Sequence, residues 1–177
     1  MNIPNILTLI RLFLIPIFVL VFFTNESLLY PIIIFIIAGI TDVADGYIAR
    51  KYNKVTKAGI VLDPIADKLM LITVLLCLSY KDFVPYWLPL VVIIKELIMI
   101  TGGVLLYNKD YTVIPANIFG KIATSLFYVS VFILYFNNNL GVYFLYGSVL
   151  ATLIAFFTYF FNYIKIKNSR KKKIRPR

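Results

Sequence analysis

The sequence predicts an all-α integral membrane protein of six transmembrane helices with an N-terminal amphipathic juxtamembrane segment, and three observations carry that prediction. Of its 177 residues 61% are hydrophobic, and the mean hydropathy of +0.89 exceeds what a soluble domain of this size carries. Six stretches reach the ~20 residues needed to cross ~30 Å of hydrocarbon. The connectors "TNES", "YKDF", "NKDYTV" and "NNNL" are short and polar, which leaves no room for a second domain.

The first stretch, Ile6 to Phe23, is interrupted by Arg11 near its start. In "NIPNILTLIR" the residues Asn5, Thr8 and Arg11 recur every third position and share one helix face. Two readings stand here: an amphipathic helix begins at the interface, or Arg11 simply snorkels to the headgroups. No small-residue cleavage site follows, so the segment is expected to be retained. The remaining stretches are Leu28 to Arg50, Gly59 to Tyr80, Val84 to Tyr107, Pro115 to Phe136 and Gly141 to Ile164. Pro4, Pro31, Pro85 and Pro115 fall near starts, where a missing amide hydrogen costs least. Residues 1–164 are thus expected to form the membrane domain and residues 165–177, "KIKNSRKKKIRPR", a basic tail.

Charge orients the chain. Lys and Arg number 18 against eight acids, a net charge of +10. Much of the excess lies in the tail, which reads as a topology signal and a contact to anionic membrane lipids rather than a nucleic-acid surface. The loop "RKYNKVTK" adds Arg50, Lys51, Lys54 and Lys57 without an acid. With six spans, loop, tail and N-terminus fall on one side, so both termini are expected in the cytoplasm of a multi-pass plasma-membrane protein. Cys77 is the single cysteine and histidine is absent, which excludes an internal disulfide, a Cys/His zinc site and any imidazole triad.

Four of the eight acids, Asp42, Asp45, Asp63 and Asp67, fall in "TDVADGYIARKYNKVTKAGIVLDPIADKL". Asp42 and Asp67 are each eight residues from the cytoplasmic ends of their spans, roughly 12 Å deep at 1.5 Å per residue. Asp42, Asp45 and Ala49 share a face of one helix, and Gly59, Asp63 and Asp67 share a face of the next. The two faces can look at each other across a helical hairpin, so the four carboxylates are expected to converge.

Converging anions at low dielectric take up protons unless a cation sits between them. Oxygen donors without Cys or His select a hard divalent ion, Mg²⁺ or Mn²⁺ before Ca²⁺, and four carboxylates are enough to bridge two. Such a pair suits phosphoryl or phosphatidyl transfer. Gly46, Ala49 and Gly59 fit close approach of a ligand, and equally fit close helix packing. On residues alone a proton or cation relay in a transporter also stands, because intramembrane acids are costly and mark function by default.

The spacing Asp42-x2-Asp45-Gly46-x2-Ala49-Arg50-x8-Gly59-x3-Asp63-x3-Asp67 resembles the signature of the CDP-alcohol phosphotransferases, six-helix membrane enzymes of phospholipid synthesis. The resemblance implies that an acceptor hydroxyl attacks the β-phosphorus of a CDP-linked lipid, usually CDP-diacylglycerol, with CMP leaving. It implies that Asp42, Asp45, Asp63 and Asp67 hold one or two divalent ions, that Asp67 is the catalytic base, and that Gly46, Ala49, Arg50 and Gly59 line the CMP site. "PNILTLIRLFLIP" and "LDPIADKL" are similar to the bacterial subgroup of phosphatidylglycerophosphate and cardiolipin synthases. On that likeness Asn5 and Thr8 join the CDP-lipid site, and Arg11 faces it as well. Homodimers are common in the family.

Both leading acceptors, glycerol 3-phosphate and phosphatidylglycerol, carry a phosphate. Arg11, Lys57, Lys68 and Lys121 are the cations expected to bind it. "GKIAT" resembles the fifth-helix element of the subgroup, but Ala123 and Phe127 stand where typical phosphatidylglycerophosphate synthases have a Lys and a Gln. A more apolar pocket would suit a lipid acceptor; glycerol 3-phosphate is nonetheless the first expectation. Lys95 and Glu96, adjacent in the fourth span, point about 100° apart and are not expected to face each other. Glu96 either meets a cation on another helix or belongs to the acceptor pocket.

Overall fold

A computed structural model describes residues 3–52, 57–107 and 118–174. They form six helices: α1 (Ile3–Thr24), α2 (Leu29–Lys51), α3 (Lys57–Tyr80), α4 (Trp87–Tyr107), α5 (Ile118–Phe136) and α6 (Asn138–Ile174). Only closed backbone hydrogen bonding survives in hydrocarbon, and a helix provides it within one segment. Among the described residues four of them, α1, α2, α5 and α6, are long and apolar enough to cross a membrane. The other two, α3 and α4, have 24 and 21 residues; α3 carries Asp63 and Asp67, and α4 carries Lys95 and Glu96. Large apolar side chains lie exposed on these helices, among them Phe13, Leu20, Ile40, Val43, Tyr80 and Phe136, as lipid-facing side chains do.

The chain divides into two units. The first comprises residues 1–90 and 135–138, hence α1 to α3, the start of α4 and the junction of α5 with α6. In it α1 packs along both α2 and α3, whereas α2 and α3 touch each other far less. Beyond the expected hairpin of aspartate helices, α1 lies against both of them. Its core holds Phe18, Phe22, Phe35, Ala38, Met70 and Val74, fully or almost fully buried. Phe18 stacks on Phe22 with ring centroids 5.8 Å apart, and Phe23 meets Tyr80 edge-on at 5.2 Å. At the far end of α1 the Lys81 ammonium donates to the Phe22 carbonyl at 2.8 Å and lies 4.8 Å from its ring.

The end of α3 closes by a Schellman turn. Phe83 N–H donates to the Leu78 carbonyl and Asp82 N–H to that of Ser79, with Asp82 in the left-handed region at φ 58°. Asp tolerates that conformation better than most residues because its short side chain bonds locally. Pro16 and Pro64 lie within α1 and α3, each removing one amide donor from the ladder.

The second unit comprises residues 91–134 and 139–177, the rest of α4 with α5 and α6. Gly141 of α6 approaches α5 so closely that a Cβ there would fall 2.6 Å from backbone atoms of Leu134. Gly147 meets Leu126 in the same way but less tightly, at 3.6 Å. Against expectation α6 does not end near Ile164: it continues as backbone helix to Ile174, 37 residues or about 55 Å. Lys and Arg are good helix formers and no Gly or Pro intervenes before Pro176, so the basic stretch has no reason to break.

Candidate active site

Three helices of the first unit build the site. On α2, Asp42 and Asp45 lie one turn apart; on α3, Asp63 and Asp67 repeat that arrangement. From α1 come Thr8 and Arg11, also one turn apart and both completely buried. The Thr8 hydroxyl donates to Asp63 Oδ1. Arg11 Nη1 lies 2.7 Å from Asp42 Oδ1, and Arg11 Nη2 donates to Asp45 Oδ2 at 2.5 Å. One face of α1 thus reaches both aspartate helices, with a neutral donor for α3 and a cation for α2.

The electrostatics explain why Arg11 is inside. A carboxylate in a dry helix interface is costly without a counter-charge, and breaking a buried pair by removing one partner typically costs ~3–5 kcal/mol. Asp45 has its side chain only 3% exposed and lies within the field of Arg11, Asp42 and Asp63. Asp42, with its side chain 39% exposed, forms the open side of the cluster. The amphipathic pattern of "NILTLIR" is real, but its polar face turns to α2 and α3 while Ile6, Ile10 and Phe13 face outward. Arg11 does not snorkel.

The other expected site residues distribute as follows. Gly46 is half-buried on α2 and Gly59 buried at the start of α3. Asp67 and Lys68 are half-buried one turn beyond Asp63. Lys121 is exposed on α5, in the second unit. The side chains of Asn5, Ala49, Arg50 and Lys57 lie outside the described residues. Among the described residues no three carboxylates gather around a common point. Carboxylate oxygens are the donor type that a hard divalent ion takes, but the described aspartates are not gathered to hold one.

Arg11 faces the aspartate site, as the subgroup likeness implies, and not the headgroups; what the sequence did not show is that it pairs there with Asp42 and Asp45. A signal existed: Thr8 and Arg11 have the same three-residue spacing as Asp42 and Asp45, and the cluster needed a cation. The expectation for Lys95 and Glu96 is also corrected. Lys95 Nζ lies 2.6 Å from Glu96 Oε1, because the long lysine stem bends across the 100° that separates their Cβ directions.

Residues 1–160 match the family model described as CDP-alcohol phosphatidyltransferase. The chain is 35% identical, over 96% of both sequences, to a Rickettsia felis protein named CDP-diacylglycerol--glycerol-3-phosphate 3-phosphatidyltransferase. A Bacillus subtilis protein of the same name is 41% identical over 70% of each. A Mycobacterium tuberculosis protein named putative cardiolipin synthase is 33% identical over 73% of this chain and 62% of its own length.

Proposed function

This chain belongs to the CDP-alcohol phosphatidyltransferase family, and from that premise we propose that it transfers the phosphatidyl group of CDP-diacylglycerol to glycerol 3-phosphate. The products are phosphatidylglycerophosphate and CMP. The observation that carries the reading is the signature aspartates Asp42, Asp45 and Asp63, all held by one face of α1. The near-full-length similarity to a phosphatidyltransferase acting on that acceptor supports it.

In this reading Asp67 accepts the proton of the acceptor hydroxyl as its oxygen bonds to phosphorus and the bond to CMP breaks. Asp42, Asp45, Asp63 and Asp67 would hold Mg²⁺ or Mn²⁺, two ions by the number of carboxylates. When bound, such ions neutralise charge on the leaving phosphate and make a nearby hydroxyl more acidic. Gly46, Ala49, Arg50 and Gly59 line the CMP site with Asn5 and Thr8 beside it, and Lys57 and Lys68 serve the acceptor phosphate. The site opens to the cytoplasm, consistent with the basic loop at Arg50 to Lys57. The protein acts in the membrane as a homodimer.

A second reading, phosphatidylglycerol as acceptor, is favoured by the relatives named putative cardiolipin synthase. Against it, Ala123 and Phe127, whose apolar character suggested a lipid-sized pocket, are both 3% exposed and serve as buried packing. The test is CMP release by detergent-purified protein with Mg²⁺, CDP-diacylglycerol and either acceptor. Release with glycerol 3-phosphate is expected, falling at least about 10³-fold in Asp67→Asn, the scale of a lost general base. Release with phosphatidylglycerol alone would establish the second reading instead.

A further inference from the structure

The exposed side of α2 ends in a cation framed by two aromatic rings. We propose that this end is a site for an anionic glycerophospholipid of the surrounding bilayer, distinct from the lipid that is transferred. Its phosphate docks on Lys51 between Tyr47 and Tyr52, and an acyl chain lies along Val43 and Ile40.

Helix geometry separates this face from the aspartate cluster. Ile40, Val43, Tyr47 and Lys51 follow one another at intervals of three, four and four residues, which keeps them within about 80° of each other around α2. Asp45 points about 160° away from Tyr47, on the side where Phe35 and Ala38 are buried. Ile40, Val43 and Tyr47 are each more than half exposed. A lipid on this stripe touches the helix that carries Asp42 and Asp45 from behind and does not enter their cluster.

The stripe also has the length of a lipid. Ile40 and Lys51 are 11 residues apart, about 16 Å along the axis. Half of a ~30 Å hydrocarbon core is about 15 Å. The cation thus stands where the phosphate of a lipid would be whose chain covers the apolar residues. A soluble phosphate compound would use Lys51 and leave the stripe bare.

Charge selects an anionic lipid. Lys51 Nζ lies 5.5 Å from the centroid of the Tyr47 ring and 5.8 Å from that of Tyr52. Tyr52 is itself held at the helix end, its N–H donating to the Ile48 carbonyl at 3.0 Å. Both rings are more than half exposed, and at exposed sites such contacts are weak, so they position the ammonium without neutralising it. Among the described residues no carboxylate pairs with Lys51. The sequence holds no acid from Gly46 to Leu62. The counter-charge therefore comes from outside the chain, and anionic headgroups supply it at a membrane surface. Tyrosine, with an apolar ring and a polar tip, suits that depth.

Trp87 is the single tryptophan, so full-length protein with Trp87→Phe and Tyr47→Trp carries one fluorescent reporter within this face and keeps an aromatic ring beside Lys51. The protein is reconstituted in phosphatidylcholine, and quenching by brominated phosphatidylserine, neither donor nor acceptor of the reaction, is compared with quenching by brominated phosphatidylcholine. The serine lipid is expected to associate about fivefold more strongly at the reporter, the scale of one lysine near an anionic surface. Lys51→Gln should bring that ratio to within about 1.5-fold of unity and Lys51→Arg should keep it; Lys51 is exposed, so neither change threatens the fold. Trp87 in the unmodified protein, 52% exposed on α4, should show no preference beyond about twofold and no response to Lys51→Gln.

Equal association of the two lipids at the reporter would overturn the proposal. So would a preference that survives Lys51→Gln and disappears when residues 165–177 are deleted, since the tail would then gather anionic lipid without a site on α2. Relief of quenching by excess glycerophosphoserine would make a soluble phosphate compound the occupant. A reporter that neither brominated lipid reaches would place a second copy of the chain on this face. Either result overturns the proposal as well.

Discussion

Both units return hydroxyls to their own helix, as Thr24 and Thr41 do in the first, but the first also sends polar side chains across to other helices. In the first, Thr8 and Arg11 reach across to Asp63, Asp42 and Asp45 on other helices. In the second, Thr124, Ser130, Ser148 and Thr158 turn back to carbonyls three or four residues earlier on their own helix. Lys95 finds its partner at the adjacent residue. Without water both solutions satisfy a hydroxyl or a charge, but only the first makes helix placement depend on polar chemistry. A site needs that dependence, since it must hold groups from separate helices in fixed relation; a scaffold is sturdier without it.

The contrast predicts where each unit breaks. In the second the weak point is steric. Gly141→Ala would drive a Cβ to 2.6 Å from the Leu134 backbone, which cannot swing aside as a side chain could. The expected cost is about 3 kcal/mol, the upper part of the overpacking range, read as a drop of roughly 6–12 °C in melting temperature. Gly147→Ala, with 3.6 Å available to Leu126, should change it by less than about 2 °C. Equal effects at the two glycines would mean that α5 and α6 can separate freely at their junction.

In the first unit the weak point is polar. Thr8→Ala leaves Asp63 without its hydroxyl donor at a half-buried contact, and a hydrogen bond to a charged group is worth about 1.5–3 kcal/mol. The expected fall in melting temperature is about 4–8 °C, restored in Thr8→Ser, which keeps the hydroxyl and drops only a methyl. If Thr8→Ser were as unstable as Thr8→Ala, packing of the methyl would be the interaction and α1 would not be tied to α3 by chemistry.

The legibility of this molecule divides along the same line. Helices were readable from apolar length because hydrocarbon imposes both the length and the closed backbone; α3 ends at Tyr80 and α5 at Phe136 as the sequence predicts. The end of α6 was not, since nothing in "KIKNSRKKKI" distinguishes a helix in water from a tail. The aspartates were legible because buried charge is costly enough to need a reason. Their partner was legible only through the subgroup likeness, since which face of α1 meets α2 depends on lateral packing, and periodicity reports faces without saying what they meet. Lys95 and Glu96 were misread through Cβ directions alone, which ignore how far a lysine stem bends.

The smallest effect sharpens the comparison most. Ser148 donates to the Leu145 carbonyl at 2.8 Å and Ser130 to that of Leu126 at 2.5 Å, although carbonyls within a helix already accept a backbone bond. Replacing either serine by alanine removes donor and hydroxyl together, so no buried polar atom is orphaned, and alanine is the better helix former. Each change is expected to stay within about 0.5 kcal/mol of wild type, a shift of less than about 2 °C. Ser130 and Ser148 are as buried as Thr8. Burial alone would assign all three the same importance; if Ser148→Ala lost as much as Thr8→Ala, the distinction between bonds that join helices and bonds that return to their own would fail.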